Sequence, residues 1–92
     1  MNHSHEDIYN HNINQAMQYC DMAKSCLLNN NIEEAKSLLY KAFQCLETAA
    51  SAGKMFNYER AAFAEAKRKE CLDTMRDLEF GRVHKVAENL ER

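Results

Sequence analysis

The chain has 92 residues, no proline, two glycines, four cysteines and a formal net charge of −2. This length supports a single domain, because domains usually run to about 100–150 residues, and the shortage of turn formers argues against a many-stranded sandwich or barrel. The 12 basic and 14 acidic residues are interspersed, so there is no broad basic field to collect phosphates, and no nucleic-acid partner is expected.

Residues 1–11 are rich in His and Asn, and Ile8 and Tyr9 are their apolar neighbours. They read as a flexible, frayed lead segment. The segment is polar and partly acidic, unlike a secretory signal, which places the chain in a reducing location such as the cytoplasm. His3, His5 and His11 carry metal-binding imidazoles, but a mobile His-bearing tail is usually nonspecific, and no metal or cofactor is expected.

Helix 1 is predicted over about 13–28. Asn12 and Gln15 form a capping-box pair at its start. Ile13, Ala16, Met17, Cys20, Ala23 and Leu27 recur at the helical period. Tyr19, Met22 and Cys26 make a second, weaker stripe, which calls for another neighbour: the lead segment, a second chain or a partner. Asn29-Asn30-Asn31 interrupts the period and predicts a tight connection, with Asn31 and Glu34 as a second capping box.

Helix 2 is predicted over about 32–51. Its main stripe is Ala35, Leu38, Leu39, Ala42, Leu46 and Ala49, widened by Ile32, Phe43 and Ala50. Gly53 sits where a C-cap glycine belongs. Helix 3 is predicted from Asn57 or Tyr58 to Phe80, with Ala61, Ala64, Cys71, Leu72, Met75 and Leu78 on one broad face. Arg68 interrupts that face, where its stem can pack while the guanidinium reaches water. Lys67-Arg68-Lys69 lies between Glu65 and Glu70 and reads as a solvated helix face. Val83, Val86, Ala87 and Leu90 continue a helical pattern beyond Gly81, either as an extension of helix 3 or as a short fourth helix. The extension is the preferred reading, because one glycine is a weak stop.

The fold class is therefore all-α: an antiparallel three-helix bundle over 12–80 with a C-terminal helical extension over 81–92. No run of apolar residues approaches the ~18–20 needed to cross a bilayer, so direct membrane insertion is not expected. Cys20, Cys26, Cys45 and Cys71 have no Cys-x-x-Cys spacing and are spread over three helices, which suits buried thiols better than zinc. Enzymatic chemistry has little support. His84 and Glu88 can share a helix face, but no nucleophile with a matched base and no phosphate-cradling loop is present.

The stretch Asn30-Asn31-Ile32-Glu33-Glu34-Ala35-Lys36-Ser37-Leu38-Leu39-Tyr40-Lys41-Ala42 has a polar turn, then Glu-Glu-Ala, then a Leu-Tyr-x-x-Ala-like run. A second stretch, Ala66-Lys67-Arg68-Lys69-Glu70-Cys71-Leu72-Asp73-Thr74-Met75-Arg76-Asp77-Leu78-Glu79, has a basic lead-in followed by Leu-Asp and charged residues. Together they make the region from Ile13 to Phe80 resemble the MIT (microtubule-interacting and trafficking) domain. Cys71 stands where that family usually has an aromatic residue, and Asn30 or Asn31 where it has glycine.

The resemblance implies a non-catalytic interaction module, of a trafficking or membrane-remodelling adaptor type. Such a module takes a short amphipathic motif of a partner protein in the groove between helices 2 and 3. Carried over, Leu72, Asp73 and Asp77 line that groove from helix 3, with Met75 and Arg76 beside them. Lys41 or Phe43, together with Leu46, line it from helix 2. Asp73 and Asp77 stand at i, i+4 and project together, either as partners for a basic residue or as solvated carboxylates. Leu72 can equally belong to the core. The competing expectation is a small self-associating adaptor or secretion-chaperone-like protein, a homodimer formed through the second stripe of helix 1 and the apolar tail.

Overall fold

A computed structural model describes residues 4–81. These form three helices, α1 (His5–Leu28), α2 (Ile32–Gly53) and α3 (Tyr58–Glu79). α2 is the middle helix and packs closely on both neighbours, whereas α1 and α3 approach each other much less. Three contacts set α2 and α3 antiparallel: Lys36 with Glu79, the Leu39 carbonyl with Cys71, and Gly53 against Ala61. α1 runs alongside α3, since Glu6 meets Arg60 near the start of both. The all-helical three-helix architecture is thus as expected. The helical tail expected over 81–92 falls, apart from Gly81, outside the described residues.

α1 begins eight residues earlier than its periodicity suggested. Ser4 is its N-cap and accepts a hydrogen bond from the Asp7 N–H at 3.1 Å. Glu6 and Asp7 then stand favourably in the first turn, at the positive end of the helix dipole. The predicted cap Asn12 is instead mid-helix, and its side-chain amide donates to the Ile8 carbonyl at 2.9 Å. Residues 5–11 are therefore helix rather than frayed lead; residues 1–3 lie outside the described part.

The reason is Tyr9, which is buried in a cluster with Ala49, Ala50, Ala52 and Ala64. Its ring meets Phe56 edge-on at 5.7 Å. The Arg60 guanidinium lies over both rings, at 6.0 and 5.5 Å. This anchor pulls the first two turns into the bundle. Met17, expected on the core face of helix 1, is 62% exposed. The second stripe divides: Tyr19 and Cys26 pack against the main core, while Met22 stays exposed.

The Asn-rich connection does what left-handed-tolerant residues allow. Asn30 has φ 58°. The Asn31 N–H reaches back to the Cys26 carbonyl at 2.7 Å and the Asn30 N–H to the Leu27 carbonyl at 3.1 Å. This is a Schellman closure, which satisfies carbonyls that the helix end leaves open. Asn31 then caps α2 without any side-chain hydrogen bond, so the second predicted capping box does not form. Asn57 caps α3 through its side-chain oxygen, which accepts from the Glu59 and Arg60 N–H groups.

Gly53 does not have the C-cap role expected of it, and Gly81 takes a left-handed turn conformation. Gly53 is the last residue of α2 and does not have a positive φ. A Cβ built on it would stand 2.8 Å from the Ala61 Cα and N. It is therefore a close-approach residue that lets α2 and α3 touch. Gly81 has φ 75°, and its N–H donates to the Leu78 carbonyl at 3.2 Å. It follows the α3 C-terminus, Glu79, as a left-handed C′ glycine.

The main core joins Ala16, Ala23 and Leu27 of α1 to Ala35, Leu38, Leu39, Ala42 and Leu46 of α2, with Cys71 and Leu78 of α3. Met75, Phe43 and Cys45 pack at its edge.

Candidate functional site

The residues singled out in sequence do not all share one surface. Leu46 is buried and belongs to the core; it backs the α2/α3 junction and is not itself presented. Met75 likewise packs against the core. Phe43 and Leu72 are half-buried, and Asp73 and Arg76 are exposed. An α-helix turns by about 100° per residue, so Asp73 projects about 100° around α3 from Leu72, and Asp77 about 140°. The two carboxylates thus stand near each other but turn away from the side of α3 that carries Leu72.

The outer α2/α3 face is instead built from two antiparallel rows. Along α2 run Lys36, Tyr40, Phe43 and Glu47, at i, i+4, i+7 and i+11. Along α3 run Arg68, Leu72, Arg76 and Glu79. Two cross-contacts hold the register. Lys36 Nζ lies 3.7 Å from Glu79 Oε1 at one end. The Arg68 guanidinium lies 5.5 Å from the centre of the Phe43 ring further along. Tyr40 stacks on Phe43, with ring centroids 6.5 Å apart and planes at 24°.

Tyr40 is 52% exposed, a large aromatic surface beside the Phe43 ring on which it stacks. The middle of the face is thus Tyr40, Phe43 and Leu72, a strip of apolar and aromatic surface. Its flanks are charged with both signs. Lys36 also meets Glu33 at 3.4 Å, and Arg68 meets Glu65 at 3.1 Å. The carboxylates of these pairs are the more exposed partners, at 42% or above, so each pair is worth little in stability, roughly 0–1 kcal/mol. They organise the rim without sealing it.

Tyr40, Lys36, Arg68 and Glu79 were not singled out as site residues from the sequence. The signal was there for the α2 row, because Lys36, Tyr40, Phe43 and Glu47 follow helical spacing beside the core stripe. What the sequence lacks is the rotation of α3 against α2, which selects Arg68 and Leu72 over Asp73 and Asp77.

The thiols are all unpaired. Cys71 is buried, and its Sγ donates to the Leu39 carbonyl across the helix interface at 3.1 Å. Burial pushes its pKa up to about 12, the nearby Cys20 adds to the rise, and a hydrogen bond from the Phe43 backbone opposes it. Cys20 and Cys45 are also raised, chiefly by burial. These are protonated, weakly nucleophilic thiols.

Among the described residues no group of three or more His, Cys, Asp or Glu side chains is placed to hold a metal ion. His5 and His11 are both exposed on α1, while His3 and His84 lie outside the described residues. A surface depression along α1 is lined by Asp7, Ile8, His11 and Asn12. It gathers no nucleophile with a matched base. No described helix is long and apolar enough to cross a membrane. No protein-family model matches the chain, and no curated protein or solved structure matches it either.

Proposed function

We propose that the chain is a non-catalytic interaction module that receives a short amphipathic helix of a partner protein on its α2/α3 face. The observation that carries this reading is the exposed Tyr40 ring, continuous with half-buried Phe43 and Leu72 on one side of the bundle. Helix-in-groove recognition needs this combination of apolar anchor sites at helical spacing within a polar rim. The resemblance to the MIT domain points to the same groove and suggests an adaptor in trafficking or membrane remodelling.

A display library of helical peptides, selected on the full chain, tests the reading. The expected result is enrichment of peptides with apolar residues at i, i+3 or i+4, and i+7 whose binding is lost on Tyr40→Glu and on Leu72→Glu. Failure to enrich, or binders indifferent to both substitutions, overturns it. Circular dichroism controls for folding.

A second reading, a self-associating adaptor or secretion-chaperone-like protein, is favoured by different residues. Met17, Met22 and Phe63 expose half or more of their surface on α1 and α3, away from the α2/α3 strip. Sedimentation equilibrium separates the two. A dimer abolished by Met17→Glu and Phe63→Glu supports self-association, and a monomer at all concentrations removes it.

A further inference from the structure

Resting on the groove reading above, we infer that the partner helix carries charges of opposite sign at its two ends, an acidic side chain toward Arg76 and a basic one toward Glu47. The two rows of the face are in antiparallel register, with Lys36 opposite Glu79 and Phe43 opposite Arg68. Cys71 faces Leu39 and Ala61 faces Gly53, so Leu72 stands near the level of Tyr40, and Arg76, one turn beyond Leu72, near the level of Lys36. Glu47 lies one turn past Phe43, at the other end of the strip and near the level of Glu65. The apolar centre therefore has Arg76 at one end and Glu47 at the other.

The other charges along this face are already compensated within the chain. Lys36 is shared by Glu33 and Glu79, and Arg68 is held by Glu65. Arg76 and Glu47 are both exposed and have no ion pair among the described residues. A docked helix would exclude water from its neighbourhood, so these two charges gain most from an opposite charge on the partner.

The spacing is also constrained. From the level of Lys36, which Arg76 faces, to Glu47 is eleven residues, about 16 Å of helix axis. A complementary helix thus presents its acid and its base about three turns apart, at i and i+11, with apolar anchors at the intervening i+4 and i+7. The apolar anchors supply affinity and the terminal charges supply orientation. Asp73 and Asp77 do not enter this pattern, because they project away from Leu72.

Three labelled helical peptides of about 15 residues test the assignment by fluorescence anisotropy. They share the leucine anchors and differ in the two outer positions: one glutamate and one lysine, two lysines, or two glutamates. The bipolar peptide is expected to bind the full chain tightest. Arg76→Glu should weaken it about fivefold and shift preference to the two-lysine peptide. Glu47→Lys should shift preference to the two-glutamate peptide. The double variant should recover the bipolar peptide, now in the reverse direction, and Asp73→Lys should change nothing.

Equal binding of all three peptides, lost on Tyr40→Glu but indifferent to the charge reversals, overturns the charge assignment and leaves the groove intact. Binding that ignores Tyr40→Glu, or no binding of any peptide, overturns the groove itself.

Discussion

Gly53→Ala is the substitution on which local and tertiary physics give opposite answers. Judged as a residue in a helix, alanine is better than glycine by up to about 1 kcal/mol, and less in a last turn. It also restricts the unfolded chain, which adds about 0.4–1 kcal/mol of stability where the new side chain fits. In the fold it does not fit. The new Cβ would stand 2.8 Å from the Ala61 Cα, 2.8 Å from its N and 3.0 Å from its Cβ. The first two are backbone atoms of α3 and cannot swing aside, so α2 and α3 must separate at this end. That separation disturbs a cluster made of Ala49, Ala50, Ala52 and Ala64 around Tyr9, whose small residues have no rotamers with which to refill the gap. Overpacking of this kind costs about 1–3 kcal/mol. The net expectation is a loss of about 1–2 kcal/mol, a fall in Tm of roughly 5–15 °C for a domain of this size. Thermal and urea denaturation followed by circular dichroism measure it. Adding Ala61→Gly should recover little, because the main clash is with backbone. Gly53→Asn should be no better than alanine, since this glycine is not left-handed. A Gly53→Ala protein as stable as the original would refute the close approach and return Gly53 to an ordinary C-cap.

Three further outcomes are expected. Leu46→Asp puts an unpaired carboxylate at a position only 4% exposed and should abolish cooperative melting; a retained transition would mean that the inner face of α2 is wrongly identified. Tyr9→Ala should cost about 3 kcal/mol and strip hydrogen-exchange protection from residues 5–12, whereas a frayed lead segment would show no change. Stability should also fall at alkaline pH through Cys71. Its folded pKa of about 12 lies above the ordinary 9.0, so between these values the unfolded chain has released a proton that the folded chain keeps. The Cys71 contribution is therefore complete below about pH 9 and is lost as the pH rises toward 12. Urea titrations across this range should show the decline, and Cys71→Ala should flatten it; an unchanged slope would place the effect elsewhere.

Much of the bundle was legible before any tertiary information. The stripe of α2 is strictly periodic, so its buried residues, from Ala35 to Ala49, follow directly from spacing. The Asn29–Asn31 connection is legible for a similar reason, since asparagine tolerates the left-handed geometry that Asn30 adopts. The start of α1 was misplaced because polar His and Asn residues obscure Ile8 and Tyr9. The pattern was nonetheless present. Tyr9, Ile13, Ala16, Cys20, Ala23 and Leu27 are spaced by alternating steps of four and three, the seam of a helix packed against a neighbour.

The candidate site was legible only in part. Phe43 and Leu72 are both half-buried and flank core stripes at the α2/α3 boundary, which helical spacing alone already implies. Asp73 and Asp77 were attached to that face by resemblance, and the rotation of α3 carries them off it. Tyr40 and Arg68 belong to it for a reason no local pattern contains: which flank of each helix is left uncovered depends on how the neighbouring helices are placed.

Periodicity, turn residues and the absence of proline determined the three helices of the described residues, their order and most of their buried faces, because these depend on interactions within a few residues. The two glycines, the helical start of the chain and the composition of the exposed face were decided by tertiary structure. Gly53 has its role because Ala61 arrives from another helix, Tyr9 because Phe56 and Arg60 close over it, and the α2/α3 strip because no described helix covers it. Contacts between residues far apart in sequence set each of these, and local propensity carries no record of them.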